Sequence, residues 1–178
     1  ESREVVQYAK SVEKAGNYLL SLINNILDIT RIESKKLDII EEKFSLRQLV
    51  QEVCLIGAKQ AEAKNLEFVV DVEETLPKYL EGDALHIKQV ILNLINNAVK
   101  YTKKGKVFLE VCQEEKQISF SVKDTGIGIK KEDMEALFDM FMRADIKRHR
   151  NIEGSGLGLT IAKELCEQMG GHIQAESI

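Results

Sequence analysis

Apolar residues open this chain at seven-residue intervals, at Val5, Val12, Leu19 and Ile26, and a second set follows three positions after each, at Tyr8, Ala15, Leu22 and Ile29. That spacing predicts one long helix over residues 2 to about 36 with an a/d seam. Ala9, Gly16, Tyr18, Ile23 and Ile32 widen the seam. A stripe so broad suits a bundle with more than one partner helix. Packing against its own domain is the other way to cover the stripe, but the helix is too long for a small domain to cover.

The period changes near Ser34–Lys36, which places a boundary at about residue 38. Residues 41–45 read as a linker or edge strand. Ser45 is a helix cap for residues 46–64, whose apolar face is Leu46, Leu49, Val50, Val53, Cys54 and Ala58. Residues 66–72 alternate as a strand, and a short strand at 79–81 follows Pro77, the only proline. Asp83 caps a helix over 84–101. Residues 107–112 and 118–123 pair as strands across a charged turn. Helical patterns cover 131–141 and 156–169, the second stopped by Gly170-Gly171. A further strand begins at His172. The expected fold is α+β: a two-layer α/β sandwich with a mixed, mainly antiparallel sheet, preceded by a long N-terminal helix.

Composition removes several classes. The 178 residues suffice for one cored domain plus an extra element. A net charge of −4 gives no general attraction to nucleic acid or anionic membrane, and no apolar run is long enough to span a bilayer. The three cysteines, Cys54, Cys112 and Cys166, are widely spaced in apolar surroundings and read as reduced, half-buried residues of an intracellular protein.

Candidate chemistry sits in three separated segments. On the helix over 84–101, Asn93, Asn97, Lys100 and Tyr101 share one face. Asparagine is a poor helix former. Its amide oxygen suits Mg²⁺ and its amide nitrogen can donate to phosphate. Lys100 offers a point charge and Tyr101 a ring for stacking. A solvated polar face would read the same way. The second segment is Asp124-Thr125-Gly126-Ile127-Gly128-Ile129. Its carboxylate can accept from an exocyclic amine, and its glycines permit close backbone approach, although Asp-Thr-Gly turns are common. The third is Gly154-Ser155-Gly156-Leu157-Gly158-Leu159, opening a helix. Bare amides at a helix start bind anions, and a plain helix cap is the alternative. It lacks the Gly-Lys-Ser/Thr end of a P-loop and the spacing of a dinucleotide fingerprint. The loop between the second and third segments carries Phe138 and Phe141, which read as hinge packing, and Arg143, the candidate phosphate contact. Its basic run at 147–150 is placed to fold over a triphosphate as a lid, with a plain solvated loop as the alternative.

These residues, in this order, resemble the catalytic ATP-binding domain of sensor histidine kinases, within the wider family of gyrase, Hsp90 and MutL. Residues 93–101 match its N box, 124–128 its G1 box, 137–141 its F box and 154–159 its G2 box. Residues 28–34 resemble the end of the second dimerisation helix. The resemblance implies two domains: residues 1–38, the second helix of the dimerisation and phosphotransfer domain, and residues 39–178, the ATP-binding domain. It implies Asn97 as Mg²⁺ ligand, with Asn93 and Lys100 along the phosphates. Tyr101 would stack near adenine and Asp124 would read its amine. Gly126, Gly128, Gly156 and Gly158 would shape pocket and lid, with Ile129, Phe141, Arg143, Gly154, Ser155 and Leu157 lining them. The implied reaction moves the ATP γ-phosphoryl to a histidine and thence to a response-regulator receiver domain. The implied partners are ATP and a second copy of the chain through the N-terminal helix, with no nucleic acid and no membrane contact by this segment. The expected location is cytoplasmic, whether or not the whole protein is membrane-attached.

Two departures matter. The family's acceptor histidine lies in a signature absent here, and His86, His149 and His172 stand in other contexts. The chain is therefore expected to begin after the acceptor and to stop before the family's closing strands. The gyrase-type ATPases carry a glutamate four residues before the Mg²⁺ asparagine, where this chain has Asn93. An ATPase of that type and a dimerisation scaffold with a vestigial pocket are the rival readings.

Overall fold

The computed structural model describes residues 2–34, 38–139 and 156–177. They fall into two units, Glu1–Asp38 and Ile39–Ile178. The first is a single helix, α1 (Ser2–Glu33). Its a-type residues are open: Val5 is 65% exposed, Val12 72%, Leu19 58% and Ile26 54%.

The second unit begins with β1 (Glu42–Ser45) and α2 (Leu46–Glu62). The Ser45 side chain accepts from the Gln48 amide, as its cap position requires. α2 stops short of residue 64 because Asn65 takes a positive φ of 55° and Leu66 turns its N–H back to the Ala61 carbonyl. Then come β2 (Glu67–Val72), β3 (Tyr79–Gly82), α3 (Ala84–Tyr101), β4 (Lys106–Glu114) and β5 (Gln117–Asp124). β1 and β3 form an antiparallel pair. The main sheet has the order β2-β4-β5, with β2 parallel and β5 antiparallel to β4, so it is mixed as expected.

One face of that sheet is apolar. Val107, Leu109 and Val111 of β4 are at most 1% exposed and alternate with Phe108, Glu110 and Cys112. They join Val53 of α2 and Ile91, Ile95, Ala98 and Val99 of α3 in one core. Val99 takes a core place, while Leu94 is only half-buried. Helix α5 (Gly158–Gln168) packs on α3 and buries Ile161, Ala162 and Leu165.

Three expectations change. The helix at 131–141 is one turn, α4 (Lys131–Met134), followed by turns to Phe138. α5 begins at Gly158 rather than Gly156, because Gly156 has φ 74°, outside the right-handed helical region. Residues 172–177 form no strand: a strand exists only with a ladder partner, and the described residues give this segment none.

Asp83 fixes the start of α3. It is 5% exposed. Its Oδ1 accepts from the His86 amide at 3.0 Å; its Oδ2 accepts from the Ile40 amide at 3.0 Å and lies 2.7 Å from His86 Nδ1. Burial alone would raise its pKa, but these bonds outweigh burial and hold it below the ordinary 3.8. A depressed carboxyl stabilises the fold fully above its unfolded value and loses that contribution as pH falls through the folded one. Asp83→Ala is expected to lose about 1–2 kcal/mol in urea unfolding near neutral pH. The gap between wild type and variant should close below pH 3.8.

Candidate nucleotide site

Helix α3 meets the other two candidate segments at different points. Near its middle, Asn93 Nδ2 donates to the Gly158 carbonyl at 3.2 Å, which ties the helix to the start of α5. At its end, the Thr102 amide closes the last turn on the Ala98 carbonyl. The Thr102 hydroxyl, fully buried, donates to Asp124 Oδ1 at 3.3 Å. The same oxygen accepts from the Gly126 amide at 2.7 Å.

The register of the hairpin puts Asp124 there. Asp124 is the last residue of β5 and pairs with Val107 near the start of β4. The Thr125 amide donates to the Lys106 carbonyl at 3.1 Å, and the Thr125 hydroxyl accepts from the Lys106 amide at 3.0 Å. This clamp holds the turn against β4. Gly126 then passes α3 so closely that a Cβ would stand 2.6 Å from the Tyr101 carbonyl oxygen and 2.6 Å from Asp124 Oδ1. Only glycine fits. Gly128 has φ 65°, the left-handed conformation that glycine adopts without strain.

Asn97 lies half-buried on the same helix, and its amide makes no hydrogen bond to the described residues. Lys100 Nζ sits 4.7 Å from the centre of the Tyr101 ring, within cation–π range. Lys64, beyond the end of α2, donates to the carbonyls of Val99 and Lys100 at 2.8 and 2.9 Å. Burial lowers its pKa, and the nearby Lys100 charge lowers it further. It satisfies carbonyls that a helix end leaves unpaired and offsets the negative end of the α3 dipole.

The remaining expected residues divide. The Ile129 amide donates to Ser177 Oγ at 2.8 Å. The Leu157 side chain is 1% exposed and belongs to the core, so only its backbone could face a ligand. Phe141, Arg143, Gly154, Ser155 and the basic run at 147–150 lie outside the described residues. Sequence reasoning missed Thr102 and Lys64. A hydroxyl directly after the N-box tyrosine was a visible signal for the first. Nothing local pointed to Lys64, because its partners are 35 and 36 residues away.

The arrangement defines a class: an α+β domain with polar amides, a glycine-bounded carboxylate and a helix start gathered around one helix. Residues 82–178, more than half of the chain, match the model of the histidine kinase-, DNA gyrase B- and HSP90-like ATPases. The chain belongs to that family. It is 42% identical over 175 residues to the sensor protein GacS of Pseudomonas syringae pv. syringae, covering 96% of this chain and 19% of GacS. It is 41% identical over 169 residues to the sensory/regulatory protein RpfC of Xanthomonas campestris pv. campestris, covering 92% and 23%. The chain thus spans about a fifth of the length of these relatives. Among solved structures, full-length ShkA in complex with AMPPNP superposes with a TM-score of 0.79 at 28% identity, covering 96% of this chain and 36% of ShkA. The catalytic domain of the histidine kinase ThkA gives 0.61 at 26%, covering 73% and 82%.

Gly126→Ala is expected to lose about 1–3 kcal/mol in chemical unfolding, because the methyl group must displace the Tyr101 carbonyl or Asp124. A variant as stable as wild type would mean that the end of α3 and this turn can separate freely.

Proposed function

We propose that this chain is the ATP-binding kinase domain of a two-component sensor, passing the γ-phosphoryl of ATP to a histidine and thence to a response-regulator aspartate. The supporting observation is that two segments far apart in sequence both meet α3, which carries the third: Gly158 at Asn93, and Gly126 and Asp124 at Tyr101 and Thr102. In this reading Asp124 accepts from the exocyclic amine of adenine and Tyr101 lies near the ring. Asn93 and Lys100 hold the phosphate chain. Gly154, Ser155, Gly156, Leu157 and Gly158 present backbone amides to it, and Gly128, Ile129, Phe141 and Arg143 close the surround. Asn97 fits a Mg²⁺ that arrives with the nucleotide, since such an ion keeps phosphate and water ligands and needs only one or two protein oxygens. When bound, Mg²⁺ supplies charge neutralisation on the phosphates. The protein's own share is positioning. The bond from the γ-phosphorus to the ADP oxygen breaks as one to the histidine nitrogen forms.

ShkA, similar at 28% identity, was solved with AMPPNP, which supports ATP as the substrate; ThkA, whose likeness at 23% identity is one of fold alone, was solved with the response regulator TrrA. Asn93 weighs against ATP hydrolysis as the main activity: an amide is not a base, and its nitrogen already donates to Gly158. The reaction is assigned to the cytoplasm, where ATP and receiver domains are found.

Equilibrium binding of a fluorescent ATP analogue, with and without Mg²⁺, tests the reading. Wild type should bind more tightly with Mg²⁺ and release no phosphate steadily. Asp124→Ala should lose about tenfold or more, the scale of one hydrogen bond to a charged group. Asn97→Ala should keep its Mg²⁺-free affinity and lose the Mg²⁺-dependent gain. No binding at all favours the scaffold, and steady phosphate release favours the ATPase.

The open stripe of α1 serves a homodimer in the same proposal, because exposed apolar rows of this length are normally covered. Sedimentation should show wild type as a dimer and the Leu19→Lys/Ile26→Lys double variant as a monomer. Equal masses for both would remove α1 from the interface.

A further inference from the structure

We propose that Thr102 is a positioning residue for base recognition, acting through Asp124. This rests on the reading that Asp124 accepts from the adenine amine. A carboxylate has two oxygens, and here they are unequal. Oδ1 takes both the Thr102 hydroxyl and the Gly126 amide. Oδ2 makes no hydrogen bond to the described residues. The division leaves one oxygen committed to the protein and the other open for a donor.

Thr102 is suited to enforce that division. Its backbone is anchored to the Ala98 carbonyl, so the hydroxyl is carried by the end of α3 and not by a loose loop. It is fully buried, where an unpaired hydroxyl would be unfavourable, so it keeps donating to Asp124 Oδ1. The terminal torsion of an aspartate is broad and roughly two-fold. One donor would leave the carboxylate plane free to swing, whereas two donors from different elements fix it. The Gly126 methylene passes within contact of both partners, since a Cβ there would stand 3.0 Å from Thr102 Oγ1. A Cβ at 126 would crowd both Asp124 Oδ1 and the Thr102 hydroxyl.

The test compares ATP with inosine triphosphate, which carries a carbonyl where adenine carries the amine. Affinities are measured for wild type, Thr102→Val and Thr102→Ser, with thermal unfolding of each. Wild type should prefer ATP by about tenfold or more. Thr102→Val keeps the shape without the hydroxyl, and should lose most of that preference, about tenfold for ATP, with inosine triphosphate nearly unchanged. Thr102→Ser should restore it. Equal weakening of both nucleotides in Thr102→Val, or unaltered discrimination, overturns the positioning role and leaves Asp124 as the base reader. A wild type that binds neither nucleotide, or both alike, overturns the base-reading role of Asp124 and this inference with it.

Discussion

The end of α3 and the turn after β5 lie so close that a hydrogen atom, but not a methyl group, fits between them. Gly126 faces the Tyr101 carbonyl at that point, and Asp124 reaches back to receive the Thr102 hydroxyl. The geometry of the site follows from this contact. It sets the distance between a helix that carries amides and a cation and a strand end that carries a carboxylate. The β4–β5 register and the Thr125–Lys106 clamp hold the strand side. The core beneath Ile91, Ile95 and Val99 holds the helix side.

Charge is arranged along α3 in the same sense as its dipole. Asp83 stands at the start, where amide hydrogens are unpaired, and Lys64 stands at the end, on the last carbonyls. An uncapped C-terminal end would repel an anion beside it. Lys64 on those carbonyls offsets that negative end, and the Asp124 carboxylate is received by the Thr102 hydroxyl just beyond it. Lys64 belongs to the turn after α2, so packing of α2 against α3 and the charge at the end of α3 are coupled.

The elements that carry this site were legible in the chain because their signals are local. Ser45 and Asp83 announce helix starts through their own side chains, and β4 and β5 alternate cleanly over a hairpin. The boundaries of α3 were readable to the residue for that reason. Misreadings occurred where the deciding interaction was distant or conformational. Gly156 looked like the first helical residue, but its positive φ delays α5 by two positions. Residues 172–177 have strand composition, and composition cannot supply a neighbouring edge. Asp124 was visible as a carboxylate next to glycines. That one of its oxygens is already occupied was not, because its partner Thr102 is 22 residues earlier.

Asn93 shows how a single position can separate two chemistries on one fold. In this chain its amide nitrogen is a donor, and the Gly158 carbonyl is the acceptor that it meets. A glutamate there, as in the water-activating relatives, has no N–H to give. Two acceptors would face each other across the α3–α5 junction, and either the side chain or the start of α5 would have to move. The tie between the helices and the activation of water therefore compete for the same place. A chain that keeps the tie holds its glycine-rich helix start against α3 by a neutral hydrogen bond and has an amide, not a base, at this position. In the proposed kinase reading that combination suits transfer to an external nucleophile, since the amide at this position cannot activate water.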